Sequence, residues 1–271
     1  MKDNRMLNCL NPDLMKKSLS TILNTNTDNI NKFIFSQRFR VRQEDIRWDY
    51  DTLDLNSILS FFNVTIEEIA FDSITVSHIS AILDKESFFK HGMLSLKALF
   101  ATENTFKSFL AEHGVTLEVK KENNLSIYVR EKKMSTDYLD YRVEKDQCIN
   151  GFMFGDDPEY NRNISNIKRC PEIVSHIGRE LLRDSKLEDE WIKRSTPSII
   201  TLKVKINEIA PTTFPGAVVD DTGGRSHLIL KAFERLLFLN TNYPSENPMI
   251  YLKETADINA ECIFDIRKIK E

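Results

Sequence analysis

Apolar positions along this chain change their spacing repeatedly, and each change predicts a different element. In FIFSQRFRVRQ, Phe33, Phe35, Phe39 and Val41 alternate with basic or polar residues that include Arg38, Arg40 and Arg42. That alternation predicts a half-buried strand with a basic outer face. The Asn- and Thr-rich LNTNTDNINKF before it reads as a solvated loop between two helical pieces. DTLDLNSILSFFNVTIEEIAF predicts one or two helices, with Asp51 or Thr52 as the N-cap. A β-branched run over Ser73–Ser77 then predicts a strand that ends on His78. ILDKESFFKHG predicts a helix with Ile82, Leu83, Phe88 and Phe89 on its apolar face and Gly92 as its stop.

The second half is read the same way. LSLKALFATENTFKSFLAEHGV is helical, punctuated at Ala101–Asn104 and stopped by Gly114, with Leu96, Leu99, Phe100, Phe106, Phe109 and Leu110 inward. VTLEVKKENNLSIYVREKK is a hairpin about Glu-Asn-Asn. QCINGFMFGDD holds a short strand, and CPEIVSHIGRELLRDS a helix with Pro171 in its first turn. PSIITLKVKINEIAP is the clearest strand, with Ile200, Leu202, Val204 and Ile206 on one face. HLILKAFERLLFL is a helix with a spine of Leu228, Ile229, Ala232, Phe233, Leu236 and Leu237. PMIYLKE, a short helical turn at INAECIF, and DIRKIKE close the chain. Strands and helices mix without a regular βαβ rhythm, which predicts an α+β fold rather than a doubly wound sheet. The expected organisation is a mostly helical N-terminal subdomain over residues 1–70 and a main domain over 71–271.

Composition narrows the class. Over 271 residues, 41% hydrophobic and 29% charged positions describe a globular chain rather than a disordered one. A net charge of -4 excludes bulk electrostatic coating of nucleic acid but leaves room for a local basic face. Cys9, Cys148, Cys170 and Cys262 form no C-x-x-C pair and read as reduced thiols of a cytoplasmic protein. Cys148, Cys170 and His176 are better read as three unrelated residues than as a metal site, and no metal is expected. The opening residues carry charges throughout and no apolar core of a signal, and no run of 18 apolar residues occurs, so no membrane association is expected.

Most catalytic signatures are missing. There is no P-loop, no G-x-G-x-x-G after a strand, no G-x-S-x-G elbow, no H-E-x-x-H and no kinase signature. DDTGGRSH, before the late helix, offers backbone N–H groups and Arg225 to a phosphate. A surface loop with Ser226 as N-cap is the preferred reading. FGDDPEY places Asp156, Asp157 and Glu159 at the end of a strand, as cleft acids or as a plain acidic turn.

SITVSHISAILDKESFFKHGMLSLKALF resembles the first strand and first helix of the ADP-ribosyltransferase superfamily. In many members a His, followed two positions later by Thr or Ser, ends the first strand, and a helix closing on Gly-[Leu/Met] follows. Here those positions are His78, Ser80, Gly92 and Met93. PMIYLKETADINAECIFDIRKI resembles the closing strands of the same superfamily. The resemblance implies an α+β fold with a split β-sheet core and flanking helices, and NAD as the substrate, with no metal. His78, Ser80 and Tyr160 would hold NAD. The glycosidic bond would break through an oxocarbenium-like state, which the protein serves by positioning and electrostatics.

The family's late catalytic carboxylate has no counterpart at Met249–Tyr251, so Glu254 is the substitute candidate and Glu246 the second. Some members use basic residues instead, a role open to Arg225. The acceptor of ADP-ribose would be a nucleic acid or a protein. Arg38, Arg40 and Arg42 are the candidate nucleic-acid contacts, and a solvated edge-strand face is an equal reading of them. An antitoxin or regulatory protein is the expected partner if the chain is the effector of a bacterial toxin–antitoxin or phage-defence system. The alternative is a non-enzymatic binding protein on a degenerate transferase-like fold.

Overall fold

The computed structural model describes residues 5–43, 53–119, 125–134, 141–142, 148–156, 164, 167–214, 221–239, 247–254 and 256–269. Side chains are described for all of these except 38–43, 119, 125 and 221–223. Tyr160, Glu246, Asp157, Glu159, Asp51, Thr52 and the Glu-Asn-Asn turn lie outside the described residues, as do the side chains of Arg38, Arg40 and Arg42. The architecture is mixed α/β, with antiparallel strand pairs in both of its sheets. Two compact, interleaved units make up the chain: Met1–Val76 with Phe152–Asp156 and Lys203–Ile250, and Ser77–Gly151 with Asp157–Leu202 and Tyr251–Glu271.

In the first unit, β1 (Met6–Leu7) pairs in parallel with the start of β2 (Ser73–Ile82), Met6 opposite Ser73. Helix α1 (Pro12–Ile22) starts where Asn11 accepts the Leu14 N–H, with Pro12 in the first turn where its missing donor costs nothing. Helix α2 (Thr27–Gln43) replaces the expected basic strand and takes over the expected loop from Thr27 on, leaving a turn over residues 23–26 between the two helices. Ile30, Phe33, Ile34 and Gln37 are buried, a spacing of three and four that only a helix puts on one side. Phe35, which a strand would place beside Phe33, is 73% exposed. Asn26 provides the cap, accepting the Asn29 N–H at 2.9 Å.

Helix α3 (Leu55–Phe62) is capped by Asp54, whose carboxylate accepts from Ser57 N–H and from its hydroxyl, both at 2.8 Å. Phe33 meets Phe61 edge-on at 5.0 Å and Phe233 at 5.2 Å, an aromatic join of three helices.

The second unit is built around α4 (Lys85–His91), α5 (Leu96–Ala101), α6 (Thr105–Glu112) and a three-stranded antiparallel sheet. The strands are β3 (Val115–Val119), β4 (Leu125–Val129) and β5 (Lys132–Met134), the first two as the hairpin pattern predicted. Arg130 and Glu131 turn β4 into β5, both at positive φ (49° and 69°). The predicted break between α5 and α6 is present, with Asn104 capping α6 through Lys107 N–H.

Helix α4 begins later than expected: β2 runs on through Ile82, and Asp84 is the cap. Gly92 ends α4 at φ 81°, and a Cβ there would overlap the Ile258 carbonyl. Met93 and Ile258 exchange two backbone hydrogen bonds across the same junction.

Among the described residues the larger sheet has six strands. Five follow the order β8-β6-β2-β7-β9, with β1 added beside β2; β6 is Asn150–Phe152, β7 Thr196–Lys205, β8 Met249–Tyr251 and β9 Ile263–Lys268. β7 buries Ser198 through Leu202 without a gap, so it is covered on both faces rather than one. Its last predicted position, Ile206, opens a 3₁₀ turn instead.

α7 (Glu172–His176) runs directly into π-helical turns at Ile177–Leu182, and α8 (Lys186–Arg194), which the sequence reading passed over, brings in Trp191. The Trp191 indole N–H donates to Ala81 O at 3.3 Å inside a core that also holds Phe100, Phe106, Phe109 and Ile177. In the first unit, α9 (Asp221–Phe238) buries all six residues of its predicted spine.

Candidate functional site

β2 is buried almost throughout, and its two half-exposed positions are His78 and Ser80. Alternation puts both on the same face, about 6.6 Å apart along the strand. His78 is therefore a mid-strand residue rather than a strand-end one. The β-branched residues Ile79 and Ile82 carry the strand past it and leave the helix to begin after Asp84.

His78 Nδ1 lies 2.6 Å from the carbonyl oxygen of Asn150, the first residue of β6. A carbonyl only accepts, so Nδ1 carries the hydrogen and Nε2 is left as an acceptor. Burial holds the imidazole below the usual histidine range, and the Asn150 carbonyl offsets this only in part. At neutral pH the ring is uncharged, with a fixed tautomer. Neither Nε2 of His78 nor the Ser80 hydroxyl has a protein partner among the described residues. The face thus presents one acceptor and one hydroxyl that both accepts and donates.

The remaining predicted residues are placed as follows. Glu254 is exposed in the turn after β8, and no hydrogen bond or ion pair among the described residues ties it to His78 or Ser80. Arg225 lies inside α9, because the helix starts at Asp221 rather than at His227. Its Nε donates to Phe71 O at 2.7 Å. Ser226 is well inside that helix, so it does not cap it. Arg38, Arg40 and Arg42 fall on the C-terminal half of α2, a helix and not the basic strand expected of them.

Sequence reasoning missed how tightly Phe154–Asp156 is held in the first unit. The Asn247 side chain accepts the Phe154 N–H and donates to the Phe154 carbonyl, both at 2.9 Å, acting as a one-residue strand partner. Gly155 N–H donates to Cys9 O at 3.0 Å. Asp156 Oδ2 accepts from Arg235 at 2.8 Å, and the guanidinium sits 5.5 Å above the Phe154 ring. The Cys9 thiol beside this pair is pushed far above the usual range by burial and by the Asp156 charge, so it is inert as a nucleophile. Asp156 is thereby an ion-pair anchor rather than an open cleft acid. An Asn two residues before a three-residue strand carries no sequence signal for this role.

Among the described residues no group of three or more His, Cys, Asp or Glu is arranged to hold a metal ion, and no helix is long and apolar enough to cross a membrane. Burial raises the Cys170 thiol to about 11, so it is protonated at neutral pH. Set against known protein families, curated proteins and solved structures, the chain finds no match in any of the three.

Proposed function

We propose that the chain is an NAD-dependent ADP-ribosyltransferase acting on a nucleic acid or a protein, with His78 and Ser80 as the groups that hold the NAD ribose and amide. The observation that carries this reading is the pair itself. The two half-exposed positions of a buried strand are a fixed-tautomer imidazole and a hydroxyl, both available to a ligand. The resemblance of SITVSHIS and of the closing strands to the transferase superfamily supports it from the sequence, and with it the finer reading of the α+β fold as a split transferase-like sheet. Ribose hydroxyls and a carboxamide are the functional groups such a pair recognises, by hydrogen bonds with no charge. Glu254 is the carboxylate assigned to the oxocarbenium-like state.

A non-enzymatic NAD-binding or interaction protein is the second reading. It is favoured by the exposed position of Glu254 and by the engagement of Arg225 with a backbone carbonyl.

Nicotinamide release from NAD by the purified chain separates the two. Turnover that disappears in His78→Ala and falls in Glu254→Gln is the expected result. Turnover kept in Glu254→Gln but lost in His78→Ala reassigns the carboxylate. Binding of NAD without any release establishes the second reading.

A further inference from the structure

β9 ends the strand order of the larger sheet. β7 lies on one side of it, and among the described residues no strand pairs with the other. Ile269 N–H donates to Pro197 O at 2.9 Å, and the register sets Lys268 opposite Ser198, Arg267 opposite Ile199 and Ile266 opposite Ile200. In an antiparallel pair, successive residues turn their N–H and C=O groups to opposite sides. Arg267 and Ile269 therefore face β7, and Ile266 and Lys268 direct theirs to the outer edge. A row of such donors and acceptors is a template for another strand.

Side chains along this edge are exposed at Phe264, Asp265, Arg267 and Lys268. The register shifts between Thr201 and Leu202, which leaves Phe264 without an opposite residue on β7 and 46% exposed. Asp265 and Lys268 have no ion-pair partner among the described residues. Arg267 is engaged within its own chain. Its planar guanidinium has five N–H donors, enough to keep that interaction and meet a further carboxylate.

Edge charges of a single sign would repel a second copy, but those of β9 change sign about Ile266. Two identical strands paired antiparallel about a two-fold axis set one residue opposite itself. With Ile266 on the axis, Asp265 of each copy falls opposite Arg267 of the other. The same register brings Lys268 to the level of Phe264 in the other copy, a cation beside an exposed ring. An axis one residue earlier sets Asp265 against Asp265, and one residue later Arg267 against Arg267. Opposite charges across a strand pair stabilise it, and like charges directly opposed destabilise it. Ile266 is also a residue whose backbone points outward, so the two copies exchange both N–H···O bonds at the axis. Charge order and backbone direction thus select the same register.

We propose that the outer edge of β9 is a self-complementary interface that pairs with β9 of a second copy of this chain, antiparallel about Ile266, with Asp265 and Arg267 fixing the register. The proposal is independent of the NAD reading.

Sedimentation equilibrium of the full chain over a range of concentrations tests it, with melting temperatures confirming that each variant is folded. A reversible monomer–dimer equilibrium is expected. Asp265→Arg and Arg267→Asp should each weaken it about tenfold, because each sets like charges against one another twice per dimer. An equal mixture of these two variants should regain the parent's affinity, since one copy then carries both cations and the other both anions. Ile266→Pro removes an outward N–H, spares the bonds to β7 and should abolish the dimer. A parent chain that stays monomeric overturns the proposal, as does association that runs past the dimer. So does a dimer indifferent to the two charge variants, or a mixture of them that associates no more tightly than either alone.

Discussion

His78 carries a single ring hydrogen at neutral pH, and burial is what keeps it so. The unfolded chain protonates this residue near its ordinary value of 6.5, whereas the folded chain resists protonation until lower pH. Below about 6.5 the unfolded state therefore binds more protons, and stability present above that pH is lost as pH falls toward the lowered folded value. His227, half-buried against Phe214 and lowered by burial and by Lys231, acts in the same direction. Melting temperature is accordingly expected to drop between pH 7 and pH 5, and His78→Gln is expected to flatten that slope. An unchanged slope would mean that the ring is solvated. A second residue-scale prediction concerns Gly92. Its positive φ and the Ile258 carbonyl beside it leave no room for a side chain, so Gly92→Ala should cost about 2 kcal/mol or more in denaturant unfolding.

At the scale of elements, α2 is where two hydrophobic periods compete. Phe33, Phe35, Phe39 and Val41 satisfy a period of two, and that pattern hid the helix. Ile30 and Ile34 lie outside the alternation, and with Phe33 they satisfy the helical spacing that the fold uses. The two periods make opposite predictions for neighbouring residues. Phe33→Ala should destabilise by about 3–5 kcal/mol, while Phe35→Ala should stay within about 0.5 kcal/mol of the parent. Equal costs would return the segment to a strand.

Where one period stood alone, the sequence was legible. The six-residue spine of α9 is buried as read, and the β3–β4 pairing and the Gly92 stop are in place. Element starts were less legible because caps decide them: Asn26, Asp54 and Asp84 each begin a helix at a point the apolar pattern does not mark. The same error moved His78 from a strand end to mid-strand. There its face, shared with Ser80, matters more than its place near a turn. The Asn150 carbonyl that sets its tautomer is a backbone atom far along the chain, and no side-chain pattern announces it.

For the molecule as a whole, the chain passes back and forth between two compact units, and β2 contributes Ser73–Val76 to one and Ser77–Ile82 to the other. The candidate pair lies in the second stretch, on a strand whose remaining residues are buried. Such a strand is a rigid support, and rigidity is what an uncharged two-point recognition site needs to hold a ligand in one orientation. The central claim is that this pair holds NAD. Direct calorimetric titration of the purified chain with NAD, alongside His78→Ala and Ser80→Ala, tests it. Saturable binding is predicted, weakened about tenfold by loss of the His78 hydrogen bond and several-fold by loss of the Ser80 hydroxyl, with both variants melting as folded proteins. No binding by the parent chain, or equal binding by all three proteins, would contradict it.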